Sequence, residues 1–242
     1  MNLYGNLDGE KALAGLLYGV NPKTIVSIIA KETINFGKAV FLNGAKTALL
    51  NGKHNNKATV DLSAYTTASK VIKLTINGVD TTVTTTATIA DDVASLVSDI
   101  NDDVPNVTAV AGTSGNAGKI FLTSDDDSEL DITLIYDGGD ATSSKVTETS
   151  DAVYAGVSVF HQNAFLDSRG CYIPTEAVNV MEKGYIWVVL ASDVTPSIET
   201  NAYVTADGTF TTESSGNTLV GKFKSGKENG TGSEKLALVS LD

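Results

Sequence analysis

Cysteine occurs once in this chain of 242 residues, at Cys171, and histidine twice, at His54 and His161. A lone cysteine excludes an intramolecular disulfide framework and a cysteine-based metal site. It is expected to be a small buried or half-buried side chain. His54 lies in the polar stretch NGKHNNK and His161 in VFHQNAF, far apart and in no ligand spacing such as H-E-x-x-H. Both are expected to be surface or structural residues. Positive charge is scarce as well: 17 Lys and Arg stand against 29 Asp and Glu, a net charge of −12. The resulting pI of about 4.5 disfavours a nucleic-acid partner held by phosphate neutralisation. No apolar stretch approaches the roughly 18 residues of a membrane span. The start, MNLYGNLDGEKALAGLLYG, lacks the basic opening and unbroken apolar centre of a signal peptide, so synthesis and folding in a cytoplasm are expected.

What the chain has is strand-forming residues. Thr, Val and Ile recur throughout, 42% of residues are hydrophobic, only 19% are charged, and 22 are glycine. That mixture and a mean hydropathy of +0.03 point to a globular, mainly β protein long enough to bury a sizeable core.

Charge is distributed unevenly. Residues 61–150 hold 15 acidic residues and 4 lysines, a net −11 of the chain's −12, so the rest is close to neutral. The same window has its own element pattern. KLTINGVDTTV, 73–83, alternates Leu74, Ile76, Val79 and Val83 around Asn77-Gly78, the strongest short signal for a tight hairpin. TATIADDVASLVSDIND then sets Ile89, Val93, Leu96, Val97 and Ile100 at helical spacing, and Thr88 with Asp91 predicts a capping box. Strands follow in NVTAVAG and KIFLTS, and in LDITLIYDG, where Leu130, Ile132, Leu134 and Tyr136 share one face. The polar GGDATSSKVTETSD predicts a return linker. Residues 56–150 are therefore expected to form a small acidic α+β module inserted into a core of 1–55 and 151–242. That core is expected to be a β-sandwich or barrel-like, with EAVNVMEKGYIWVVLASDV forming a hairpin about Glu182-Lys183-Gly184. Residues 10–19 fit either one short helix or an extended arm.

Motifs that carry chemistry are missing. SDDDSELD, 124–131, gathers carboxylates but lacks the glycine and terminal glutamate of an EF-hand loop, so a solvated turn is favoured over a calcium site. GTSGNAGK, 112–119, has too few residues between its outer glycines for a phosphate loop, no Ser or Thr after the lysine, and a strand rather than a helix behind it. No nucleophile elbow or dinucleotide fingerprint occurs. The chain is expected to be no enzyme and to hold no cofactor or metal. Tyr185 and Trp187, in the apolar strand YIWVVL, suit either core packing or burial against a neighbouring subunit.

Divided in this way, the chain carries two resemblances. NPKTIVSIIAKETINFGKAVFLNG, the G-Y-I-W-V strand, NAYVTADGTF and the closing EKLALVSL resemble the structural cement, or capsid decoration, proteins of tailed bacteriophages. The inserted part resembles the "IN" module of flagellin and hook-associated proteins, through Leu74, Thr75, Ile76, Asn77 and Gly78, then Ile100 and Asn101, then Leu122, Thr123 and Ser124. The first resemblance implies a structural virion protein on the outer capsid surface, made in a host bacterial cytoplasm, that stabilises the shell by bridging major capsid subunits. Its partners would be the major capsid protein and copies of itself, a homotrimer being one arrangement, with no nucleic acid and no membrane. Contact residues would be Leu3, Tyr4, Leu13, Leu16, Leu17 and Tyr18 of an N-terminal arm, whose alternative is a helix packed on its own core, together with Tyr185 and Trp187. The competing reading is a surface adhesion or carbohydrate-binding module, or a tail-associated structural protein.

Overall fold

The computed structural model describes residues 13–19, 23–65, 67–86, 88–137, 145–160, 170–230 and 233–242. Two compact units divide the chain, Met1–Lys53 with Ala152–Asp242, and His54–Asp151. The architecture is mainly β, with one α-helix among the described residues.

The first unit is built on one ten-stranded sheet. Its order runs Phe210–Thr211, Asn201–Val204, Thr218–Phe223, Lys235–Leu241, Ala177–Val189, Val153–Ser158, Ala39–Leu42, Leu49–Leu50. Thr24–Ile29 also pairs with the long Ala177–Val189 strand, and Glu228–Asn229 with the terminal one. The hairpin expected about Glu182-Lys183-Gly184 does not form. These residues run straight through the 13-residue Ala177–Val189 strand. Its first half pairs with Thr24–Ile29 and Val153–Ser158, and from Gly184 onward it pairs with Lys235–Leu241. Gly184, at φ +122°, takes a backbone conformation that L side chains rarely adopt, and so lets the strand change partners without reversing.

The sheet then curls into a half-barrel. The turn after Asn201–Val204 reaches the far end of the strand order, where Ala39 N–H donates to the Gly208 carbonyl (2.8 Å) and Lys53 N–H to that of Ala206 (2.6 Å). Inside the curl lie Phe41, Met181, Ile186, Val188, Phe210 and Phe223, all buried. Each large side chain removed from water contributes roughly 1.5–3 kcal/mol. The opposite face of the Ala39–Leu42 and Ala177–Val189 strands is covered too. Val40, Val178 and Val180 pack there with Phe36 and Tyr172, whose rings meet edge-on at 5.3 Å. Cys171 is half-buried in the short Cys171–Tyr172 strand beside them.

In the second unit the Asn77-Gly78 hairpin joins Val71–Ile76 to Val79–Thr84. Both turn residues have positive φ, +50° and +83°, as a tight hairpin turn of the mirror-image type demands. Ile132–Tyr136 completes a three-stranded sheet, and a four-stranded one runs Val146–Thr149, Lys57–Asp61, Lys119–Ser124, Val107–Ala111. The helix Ile89–Asp103 buries Val93, Leu96 and Ile100 in a core with Ile72, Leu74, Ile120 and Leu122. Leu130, Leu134 and Tyr136 are buried in the same core, as their spacing predicts.

Two expectations for this unit fail. Thr88 caps the helix by position, but its side chain makes no capping hydrogen bond. The buried Asp92 carboxylate instead accepts the Thr86 N–H at 2.9 and 3.1 Å, which fixes the chain as it enters the helix. The return linker is in part a strand: Val146–Thr149 pairs with Lys57–Asp61 through a ladder that its polar side chains do not advertise. The earlier part of that linker, 138–144, lies outside the described residues.

The two ends of the second unit are clasped together. Asn56 Nδ2 donates to Asp151 Oδ1 (2.8 Å), Asp151 N–H donates back to Asn56 Oδ1 (3.3 Å), and Lys57 Nζ lies 2.7 Å from Asp151 Oδ2. The hydrogen bond from Lys57, more than that from Asn56, holds the Asp151 carboxyl below its ordinary range. A carboxylate depressed on folding adds stability above its unfolded pKa of about 3.9 and loses it as pH falls through the folded value. Asp151→Asn should therefore lower stability by about 1 kcal/mol or less at pH 7. Thermal unfolding of both proteins from pH 7 down to about pH 2 should show the wild-type advantage shrinking below about pH 4.

Candidate functional site

The second half of the Ala177–Val189 strand presents alternate side chains to two faces of its sheet. Ile186 and Val188 enter the half-barrel core, whereas Tyr185, Trp187 and Val189 point to the other face. The terminal strand repeats this division: Ala237, Val239 and Leu241 go inward, Leu236 and Leu238 outward. Trp187 stands directly opposite Leu238 in the ladder, and Val189 opposite Leu236. The outward set makes a separate apolar cluster in which Trp187 is 6% exposed.

Residues 15–18 complete that cluster from a distant part of the chain. Gly15 N–H donates to the Trp187 carbonyl (2.7 Å), Trp187 N–H to Leu16 (3.0 Å) and Tyr18 N–H to Tyr185 (3.0 Å). Leu17 bridges Ile186 in the antiparallel sense, so this segment is extended and lies along its own sheet. Alternation then sends Leu17 towards the half-barrel core, while Leu16 and Tyr18 pack with Trp187, Tyr185, Leu236 and Leu238.

Backbone contact at Gly15 and Gly37 makes this seating possible. Their φ values are +74° and +69°, and a Cβ on Gly37 would lie 2.5 Å from the Gly15 nitrogen. A Cβ on Gly15 would lie 2.7 Å from the Phe160 nitrogen, which donates its own hydrogen bond to the Gly15 carbonyl (2.8 Å). Either side chain would push residues 13–18 off the sheet.

Of the eight residues singled out in the sequence, four meet in one place: Leu16, Tyr18, Tyr185 and Trp187. Leu17 packs on the other side, and half-buried Leu13 opens the turn into the segment through its carbonyl, 3.1 Å from Leu16 N. Leu3 and Tyr4 lie outside the described residues. Sequence reasoning missed Leu236, Leu238, Gly15 and Gly37. The alternation in KLALVSL was a usable signal for the two leucines; nothing local marks the pairing of the two glycines.

The polar surroundings offer structure rather than reactivity. Beside the cluster, Lys224 N–H donates to the Leu238 carbonyl (2.7 Å), and Lys224 Nζ pairs with Glu199 Oε1 at 2.6 Å. That hydrogen bond raises the Lys224 ammonium above its ordinary range and holds Glu199 below its own. In the second unit the acidic turn is engaged locally. Asp125 accepts from the Thr108 hydroxyl, and Asp126 from Ser124 and Ser128. Asp127 accepts from Asn56 (3.4 Å) and, through its carbonyl, meets His54 Nδ1 at 3.3 Å. No trio of His, Cys, Asp or Glu placed to hold a metal occurs among the described residues. His161 lies outside them. The glycine-rich 112–118 stretch is the turn between antiparallel Val107–Ala111 and Lys119–Ser124. Two aromatic residues that a glycan platform would need are consumed in packing: Tyr65 and Tyr136 stack at 4.3 Å in the core, leaving Phe121, 37% exposed.

Comparison with known proteins returns a family model described as "Structural cement protein (E217 gp24/Pam3 gp6)", which matches residues 93–242. No curated protein matches. A solved structure titled "Mycobacterium phage Patience" aligns with 15% identity over 99% of this chain and 95% of its own, at a TM-score of 0.25.

Trp187→Ala removes the centre of the outward cluster. Denaturant unfolding of the isolated protein should show a loss of about 3–5 kcal/mol, the range for a buried large aromatic residue.

Proposed function

Because the chain belongs to the phage structural cement protein family, a family of structural virion proteins, we propose that it binds the outside of a capsid and stabilises the shell by bridging major capsid subunits. The family match carries this reading, and the site chemistry agrees with it: the converging side chains are apolar and offer no nucleophile, general base or metal cage. The half-buried Leu16, Tyr18 and Tyr185 form the contact face, and Trp187, already sealed from water, is the rigid support beneath them.

The mechanism is mass action. A protein that binds the assembled lattice and not its separated subunits stabilises assembly by the free energy of binding. Many modest contacts repeated over a shell sum to a large effect. In this reading the unit of 1–55 and 151–242 binds the capsid, the acidic insert of 56–150 points outward, and copies meet at threefold or quasi-threefold positions, with a homotrimer as the simplest arrangement. A net charge of −11 over residues 61–150 of the insert discourages association between decorated particles, because like-charged surfaces repel.

Purified protein mixed with mature capsids of the parent phage should co-sediment saturably and give a copy number, and a chain with 58–149 replaced by a short linker should do the same. Absence from both the mature-capsid and the procapsid pellets contradicts the reading. Binding that disappears with the insert would move the contact to the second unit.

A further inference from the structure

Among the described residues, Thr24–Ile29, of sequence TIVSII, is a six-residue strand at an edge of its sheet. Its one strand partner there is Ala177–Val189, in the register Ile25 to Met181, Ser27 to Asn179 and Ile29 to Ala177. Just past its end, Ala30 N–H donates to the Glu176 carbonyl (2.8 Å), and the Ala30 carbonyl accepts from Thr175 (2.8 Å). Backbone groups alternate in direction along a strand. Val26 and Ile28 therefore turn theirs towards Ala177–Val189, and Ile25, Ser27 and Ile29 turn theirs outward. Among the described residues no other strand pairs alongside Thr24–Ile28.

Exposed edges are normally blunted by brevity, charge, proline or a bulge. The two ends of this sheet's strand order follow that rule, since Leu49–Leu50 and Phe210–Thr211 are two residues each. TIVSII has three times that length, carries no charge, proline or glycine, has its one register irregularity at its start, between Thr24 and Ile25, and exposes Ile25 (39%) and Ile29 (48%). A long uncharged edge rich in β-branched residues is a template for another strand.

The sequence also indicates which strand. Residues 25–29, Ile-Val-Ser-Ile-Ile, read almost the same in both directions about Ser27. Antiparallel pairing with a second copy, centred there, sets Ile25 against Ile29 of the other chain, Val26 against Ile28, and Ser27 against Ser27. Directly opposed residues lie on the same side of a sheet, so the exposed isoleucines of the two copies become neighbours. The same register aims the outward groups of Ser27 at those of its counterpart and the Ile25 carbonyl at the Ile29 N–H. A twofold contact of this kind needs one patch that complements itself, and this strand provides it. Leu49 limits the pairing: it bridges Ala30 in the parallel sense, which sets its N–H at the Ile29 carbonyl, and its own carbonyl takes the Lys31 N–H (2.9 Å), so the edge is occupied from the Ile29 carbonyl onward. The paired region ends before Lys23 of one copy can face Lys31 of the other.

We propose that two copies of this protein associate by antiparallel pairing of residues 25–29 about a twofold axis at Ser27. The inference goes beyond shell binding and does not rest on it. On a shell, such contacts would tie neighbouring decorators to each other as well as to the capsid.

Sedimentation velocity of the full chain over a concentration series tests this directly. The mass should double as concentration rises, with amide exchange at Ser27 and Ile29 slowing in step, while Val26 and Ile28 are protected throughout. Ser27→Pro removes an outward N–H at an edge position where proline is tolerated, and should weaken doubling by about tenfold or more, since two hydrogen bonds are lost per pair. Ile25→Lys should weaken it too, and adding Ile29→Glu, which faces the new lysine across the twofold axis, should restore it. The proposal is overturned by a mass that never doubles, or by doubling that survives both single substitutions. Weakening that Ile29→Glu fails to restore assigns the contact to a different register and overturns this one.

Discussion

The Ala177–Val189 strand is the constraint on which the first unit depends, because it is paired along both edges and, from Tyr185 to Val189, packed on both faces. Its first half lies between Thr24–Ile29 and Val153–Ser158, and its second between Lys235–Leu241 and residues 15–18. Three apolar clusters draw side chains from it: Ile186 and Val188 serve the half-barrel, Val178 and Val180 the opposite face, and Tyr185, Trp187 and Val189 the outward cluster. A stretch so enclosed leaves no face for charged side chains, which the strand confines to exposed Glu182 and Lys183 before it. That accounts for the near-continuous apolar run in YIWVVL, where a half-exposed strand would alternate.

This arrangement ties the candidate contact face to the stability of the fold. Leu16 and Tyr18 reach Trp187 only because Gly15 and Gly37 let two backbones touch. Trp187 in turn rests on Leu236 and Leu238 of the last strand. Segments from the beginning, middle and end of the chain thus converge on one surface. A surface fixed by long-range pairing is preorganised, so binding need not bear the cost of ordering it. The acidic unit is organised separately, around its own helix and two sheets, with its ends held by Asn56, Lys57 and Asp151.

Local chemistry was legible in the sequence, and long-range pairing was not. The β-rich composition, the Asn77-Gly78 hairpin and the helix face of Val93, Leu96 and Ile100 all follow from propensity and period, and the structure has them. The family resemblance came from short apolar patterns and turn glycines, and the match over 93–242 bears it out. Gly184 misled because a glycine between apolar runs signals a turn as readily as a bend; its neighbours in space decide, and they lie more than fifty residues away at Leu241. Thr88 misled because capping preference states what a side chain can do, whereas the buried Asp92 had already fixed the incoming backbone. Val146–Thr149 was hidden because an edge strand facing water needs few apolar residues. For the contact face, single residues could be nominated from their apolar character. Their convergence, and the division between outward Leu16 and Tyr18 and inward Leu17, required the register with Ile186.

Cryo-electron microscopy of the mature particle of the parent phage would test the central claim most directly. The account predicts density for this chain on the outer shell, with the face of Leu16, Tyr18 and Tyr185 against major capsid subunits, at least two subunits touched by each copy, and the acidic unit directed away from the shell. Density confined to the tail, or copies on the shell whose Trp187 face is turned to solvent, would contradict it.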